Sequence, residues 1–341
     1  MFSQQSIFKK NNIKWIILFL LLFITFFSSL FMGRYTISPE NTFIVLVNAL
    51  QGNIAQDMNS SIILGMRLPR TILSMLLGAG LAIAGSTYQG IFRNPLVSPD
   101  VLGVSSGAGF GSVLGILLFG MSATTSILAF VFGLGSVFLT YLFARARGQT
   151  TMMSLVLSGM IVSAIFAALI SLVKYVADPY DTLPAITYWL MGSFSKATFE
   201  DLRYIFIPLT ASLAVLNLVR WRINILSLGE EESKSLGVNP TRIKFIAIIA
   251  STVLTALSVT VVGIVGWVGL VIPHITRLLF GVDHKVLLPA SCFIGAIFLT
   301  VVDIVSRSVI SAEIPIGIIT ALLGAPFFGF LLKYTNQKGD W

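Results

Sequence analysis

The strongest chemical signal in this chain comes from arginines. Arg67 and Arg70 stand in "LGMRLPRTILSM" (64–75), at the mouth of a long apolar segment, and Arg307 begins a connection between two later ones. A guanidinium offers a planar fork of donors that a carboxylate fits bidentately, so three on one face form a dock for acidic groups. Pro69 suits the first turn of a helix. Arg67 and Arg70 therefore sit at a helix N-terminus, where positive charge opposes the dipole at about 0.3–1 kcal/mol each. Local physics leaves two readings level: interface anchors that snorkel to headgroups, or a docking site for carboxylates.

Other chemistry is weaker. "GVSSG" (103–107) matches the G-x-S-x-G of a hydrolase nucleophile elbow. That motif needs a strand, a sharp turn and a helix with a histidine and an acid converging on the serine, whereas Ser105 opens an apolar helix. One cysteine, Cys292, excludes an intrachain disulfide or a cysteine metal site, and His274 and His284 lack HExxH spacing. No Gly-x-x-x-x-Gly-Lys-Ser/Thr is present. The chain thus has no phosphate-cradling loop, and ATP-driven work would need another subunit. Neither a catalytic residue, a metal ligand set nor a cofactor of its own is expected.

The elements that carry these residues follow from composition. Of 341 residues, 56% are hydrophobic and 11% charged, and the mean hydropathy is +0.92. A soluble domain carries about 25% charged residues, so this is an all-α polytopic membrane protein. Apolar runs of spanning length, about 20 residues, centre near ten positions: Phe23, Ala79, Ser112, Gly133, Ile165, Ala211, Ser251, Val271, Ile297 and Leu323. The first follows Lys9, Lys10 and Lys14 as a signal peptide would, yet it is long and no A-x-A-like site follows, so it reads as the first span. No repeat or long linker divides the chain, and 1–341 reads as a single transmembrane domain.

With the N-terminus inside, 15 of the 22 lysines and arginines fall on the cytoplasmic side, as the positive-inside rule asks, and both termini are cytoplasmic. The net charge of +8 is accounted for in this way, and nucleic acid is not expected as a partner. Arg67, Arg70 and Arg307 fall outside. Two external segments exceed simple turns: 33–67, and 178–201, whose "AITYWLMGSF" suits a short interfacial helix. Ion coupling is disfavoured because Asp303 is the clearest ionisable group within a span, and a charge at the bilayer centre costs about 2.5–3.5 kcal/mol. Four residues on, Arg307 can neutralise it across one helical turn.

Three connecting features complete the reading. Gly103, Gly107, Gly111 and Gly115 recur every fourth residue, clearing one helix face for close packing. "RNPLVSPD" (93–100), with two prolines, is a broken, stiff internal connection. The polar segment 220–244 contains Glu230, Glu231 and Glu232 ahead of "SKSLG", which suits a short helix started by acids, ended by Gly237 and stopped by Pro240. Either it is a solvated loop or it is a rigid knob for a partner's groove.

Taken in order, "RLPR" (67–70), "NPLVSPDVLGVSSGAGFG" (94–111), "GEEESKSLGV" (229–238), "GWVGLVIPHITRLLFG" (266–281), "DHKVLLPAS" (283–291) and "EIPIGIITALLGAPFF" (313–328) closely resemble the FecCD family. Its members are permease subunits of ABC importers for iron-siderophores, haem and vitamin B12. The resemblance implies a type II ABC importer permease fold of about ten transmembrane helices in the bacterial cytoplasmic (inner) membrane, dimerised with a second permease copy or paralogue. ATP-binding subunits would dock inside and an extracytoplasmic substrate-binding protein outside. By the same resemblance, which extends to the vitamin B12 importer, Arg67, Arg70 and Arg307 pair with glutamates of the binding protein. Glu230, Glu231, Glu232, Ser233, Lys234, Ser235, Leu236 and Gly237 form the helix that couples to the ATPase, and Asn94, Pro95 and Leu96 lie at the inner gate. The implied cargo is an iron-siderophore complex, with haem, cobalamin or molybdate as alternatives.

Overall fold

The computed structural model describes residues 2–53, 55–145, 151–310 and 312–338, and among these every regular element is helical. The chain begins with α1 (Phe2–Phe31) and α2 (Pro39–Leu50). A short α3 (Met58–Ser60) then runs through a π-helical stretch, Ser61–Arg67, into α4 (Leu68–Phe92). A 3-10 turn, Pro99–Leu102, leads to α5 (Val104–Phe119), followed by α6 (Ala123–Ala144), α7 (Met152–Val176), α8 (Thr182–Met191) and α9 (Phe199–Leu226). The last five are α10 (Glu230–Ser235), α11 (Pro240–Val262), α12 (Val268–Phe280), α13 (His284–Ser308) and α14 (Ile316–Lys338).

Among the described residues seven helices are long and apolar enough to cross a membrane, and shorter apolar helices, Val104–Phe119, Val268–Phe280 and Ile316–Leu331, occupy the other three expected centres. The starts follow local chemistry. Thr151 with Ser154 and Thr198 with Asp201 close capping boxes on α7 and α9. Asn239 caps α11 with Pro240 just inside, so the proline that stops α10 also starts the next span. The segment 33–67, expected outside, holds α2 and the π-helical stretch, which periodicity did not indicate. "AITYWLMGSF" does contain the anticipated short helix, α8.

Burial divides the bundle. In α4 and α11, 78% and 72% of the most apolar window is enclosed by protein, against 22% in α1 and 28% in α7 and α9. The first two therefore form the core, and the others turn large apolar side chains outward to lipid. Small residues permit this closeness. A side chain at Gly78 would strike the Gly295 carbonyl of α13, and one at Gly85 the Gly269 carbonyl of α12. Hydroxyl pairs stitch α4 to its neighbours, to α1 through Ser29 and Thr71 at 2.7 Å and to α13 through Ser74 and Thr300 at 2.9 Å and Ser86 and Ser291 at 2.7 Å. Such interhelical bonds average about 0.6 kcal/mol in a membrane.

The glycine ladder packs as its spacing suggests, with one exception. Gly107, Gly111 and Gly115 lie against Phe132, Leu128 and Thr125 of α6. Gly103 leaves that face: it caps α5 at φ 80, a left-handed conformation, against Val162 and Ser163 of α7.

Where the helices break, they satisfy one another. Ser193 N–H donates to the Val262 carbonyl at 2.8 Å and Ile316 N–H to the Gly192 carbonyl at 2.9 Å. Irregular backbone is tolerated at membrane depth only when protein supplies its partners in this way.

Candidate functional site

At one end of the bundle the termini of α1, α4 and α13 meet, and they bring Arg67, Arg70 and Arg307 together. Arg70 reaches two carboxylates. Its Nε donates to Asp303 Oδ1 at 2.8 Å, while Nη1 and Nη2 grip Glu313 bidentately at 2.8 and 3.0 Å. Arg307 donates through Nη2 to the Ser29 carbonyl and hydroxyl, both at 2.6 Å. The i, i+4 contact of its Nε with Asp303 Oδ2 forms at 3.3 Å, as a charge pair without hydrogen-bond geometry. Arg67 donates to the carbonyls of Leu30, at 2.8 Å, and Tyr35.

These side chains are not an open rank of cations. Arg67, Arg70 and Arg307 are only 5%, 7% and 5% exposed, and each spends its fork on internal acceptors. The reason is energetic, because a buried charge is tolerated only when paired or fully hydrogen-bonded. Three guanidinium groups face two carboxylates, so one positive charge remains, and Arg67, held by carbonyls alone, carries it. Gly33, whose φ is 151, lies against the Arg67 and Arg307 guanidinium groups and leaves room for both.

At the opposite end, α10 stands between α9 and α11 as a compact knob. Ser233 is fully buried and its hydroxyl donates to the carbonyls of Ile225, at 3.1 Å, and Gly229. Glu230 pairs with Lys244, whose hydrogen bond and charge hold the carboxyl below its ordinary range. Gly237 ends the helix at φ 76. Its N–H donates to the Lys234 carbonyl at 3.0 Å, and Val238 N–H donates to that of Ser233 at 2.9 Å, the closing pattern of a Schellman-type stop. Glu231, Glu232, Lys234, Ser235 and Leu236 remain exposed. The segment is thus anchored beneath and, Leu236 apart, polar above.

The connection 93–102 is stiff. Arg93 leaves α4 in a left-handed conformation, φ 49, and donates to the Leu226 carbonyl at 3.2 and 2.8 Å. Asn94 Oδ1 accepts from Leu96 N–H at 2.9 Å, and Leu96 projects outward. Ser105, in the first turn of α5, donates to Asp100. Both histidines instead line a cavity with Gln89, Arg93 and Arg277, so the G-x-S-x-G match has neither its strand nor its histidine.

Sequence reading missed the carboxylate Glu313 as the partner of Arg70, and also that cavity. Each joins residues far apart in the chain: Arg70 and Glu313 are separated by 243 positions.

The FecCD transport family matches residues 20–334, beginning well before the motifs that start at Arg67. The molybdate import system permease protein of Haemophilus influenzae is 43% identical over 325 residues, covering 94% of this chain and 95% of its own length. The vitamin B12 import system permease protein of Klebsiella pneumoniae is 34% identical and covers 99% of both. A solved structure of a metal-chelate type ABC transporter in an inward-facing conformation superposes with a TM-score of 0.84 at 41% identity, over 94% of this chain and 98% of that one.

Proposed function

The chain belongs to the FecCD transport family of ABC importer permeases, and from that premise we propose that it forms, with a second permease, an alternating-access path through the cytoplasmic membrane. ATP-binding subunits take hold of α10 from the cytoplasm, and a binding protein delivers cargo at the end that carries Arg67. The observation that carries this reading is the build of α10. A knob fixed by Ser233 and the Glu230–Lys244 pair, yet polar on top, transmits force from a partner to α9 and α11. Closure of the ATPase pair then rocks α9 and α11, and with them the α4 core they pack on, and Asn94, Pro95 and Leu96 lie at the inner gate.

The cargo is a metal species. A ferric-siderophore chelate is the first reading, supported by likeness to a metal-chelate type transporter. Molybdate is the second, supported by the relative from Haemophilus. Uptake of radiolabelled iron chelate and of molybdate by the reconstituted complex tests both. ATP-dependent accumulation of one of them, insensitive to collapse of ion gradients, is the expected result. Uptake that vanishes with the gradient while ATP is maintained would overturn the ATP-driven reading in favour of a secondary transporter.

Docking is proposed to centre on Arg67, the guanidinium that no carboxylate among the described residues neutralises. An arriving acidic side chain would pair with it and compete with the partly exposed Glu313 for Arg70. Arg67→Gln keeps amide donors for the two carbonyls and removes the charge. It is expected to weaken binding-protein affinity about threefold to tenfold, roughly 0.6–1.4 kcal/mol. Equal affinities for variant and wild type at physiological salt would leave Arg67 a purely structural role.

A further inference from the structure

A cavity of about 280 Å³ opens at the α10 end, between the last turn of α4, the end of α9, α12 and the first residue of α13. It is lined by Gln89, Gly90, Arg93, Asn94, Pro95, Ser227, His274, Arg277, Val282 and His284, with no carboxylate among them. The nearest acid in sequence, Asp283, turns back to cap α13, accepting from Lys285 N–H at 2.9 Å. The lining is therefore cationic, and the N-terminus of a 25-residue helix adds its positive end.

Three polar atoms in this lining are buried and without a partner among the described residues: Arg277 Nη1, His274 Nδ1 and His284 Nε2. Neighbouring groups of the lining are committed elsewhere. Arg277 Nη2 donates to Gln89 Oε1, Gln89 Nε2 donates to the Leu270 carbonyl at 3.4 Å, and Arg93 holds Leu226. Ser227 donates to Asn224 O at 2.6 Å. His284 is 7% exposed, and its Nε2 occupies the space that any side chain at position 90 would fill. Buried polar groups are nearly always satisfied, so three orphans around one cavity point to a ligand.

The tautomer of His284 narrows the ligand. Asn224 Oδ1 faces the His284 backbone N–H at 3.3 Å and the ring Nδ1 at 3.2 Å. A backbone N–H can only donate, which fixes that atom as the amide oxygen; Nδ1 must then carry its proton, and Nε2 presents a lone pair. Arg277 offers charge and a donor, while His284 asks for a donor in return. An oxyanion that keeps a proton of its own answers both.

We propose that this cavity binds a monoprotonated phosphate group, whether free inorganic phosphate or the head of a phosphomonoester lipid, through Arg277, His274 and His284. Occupancy ties the ends of α4, α12 and α13 together. The inference stands on these residues and not on which cargo the permease carries.

The test uses the full-length permease in detergent, its thermal unfolding followed against inorganic phosphate and against sulfate at matched ionic strength and neutral pH. Phosphate is expected to stabilise saturably. Sulfate, which has no proton to donate, should bind several-fold more weakly, and Arg277→Gln should weaken phosphate roughly tenfold through loss of a charge-assisted bond. Equal responses to the two anions would overturn the assignment, and so would a wild type that phosphate leaves unmoved in every form. Saturation by phosphatidic acid but not by free phosphate, with phosphatidylcholine inert, would support the site and assign the lipid as its source. The anion comparison on the wild type needs no variant, so it stands even where Arg277→Gln does not fold.

Discussion

Asp303→Ala is expected to cost about 3–5 kcal/mol of folding stability, the largest effect of any single substitution at the arginine cluster. Asp303 is fully buried and touches Arg70 at 2.8 Å and Arg307 at 3.3 Å. Its loss strands positive charge at the junction of α1, α4 and α13. Arg70 would keep Glu313, which is partly exposed and therefore more strongly screened. Arg307 would keep only the hydroxyl and carbonyl of Ser29. Unfolding of the purified permease in detergent reads the loss. A control separates charge from packing. In Asp303→Ala combined with Arg307→Met the uncompensated cation is removed as well, and much of the stability should return, because removing both members of a buried pair is often close to neutral. The two substitutions touch one network, so their effects should be strongly non-additive. A double variant as unstable as the sum of the singles would show that the carboxylate acts by shape and not by charge.

That network also marks how far the sequence could be read. The ten apolar runs were legible because a bilayer demands about 20 apolar residues per crossing, and the i, i+4 relation of Asp303 to Arg307 because helical spacing is local. The three arginines were recognisable as unusual from charge scarcity alone. Their burial was not, since it depends on Glu313 reaching Arg70 and on the carbonyls of Leu30 and Tyr35 closing over Arg67. Nothing in a one-dimensional pattern pairs residues that distant. The same limit hid the phosphate cavity. His274, Arg277 and His284 look like ordinary interface residues until α4 supplies Gln89 and Gly90 beside them. In Gly103 to Gly115 the period was right for three glycines, while the first served a turn, because a spacing rule does not say where the helix begins.

The remaining large effect is functional and falls on Gly237. Its φ of 76 lies in the left-handed region, where a β-branched residue costs roughly 1–2 kcal/mol, yet nothing stands within 4 Å of where a Cβ would lie. Gly237→Val therefore introduces no clash. It presses the backbone away from the turn that lets Val238 N–H reach the Ser233 carbonyl, and so tilts α10 on its anchor. The membrane core lies elsewhere and should be untouched. The complex is thus expected to assemble and hydrolyse ATP at a near-normal rate while transport per ATP falls about tenfold, the equivalent of roughly 1.4 kcal/mol of lost coupling. Asparagine visits the left-handed region far more readily. Gly237→Asn should accordingly retain most of the coupling, although it is bulkier than glycine and its volume is close to valine's. Parallel measurement of ATP hydrolysis and uptake in the two variants distinguishes backbone geometry from side-chain bulk. If valine and asparagine uncouple equally, a partner surface pressed against position 237 is the cause, and the shape of the knob is not.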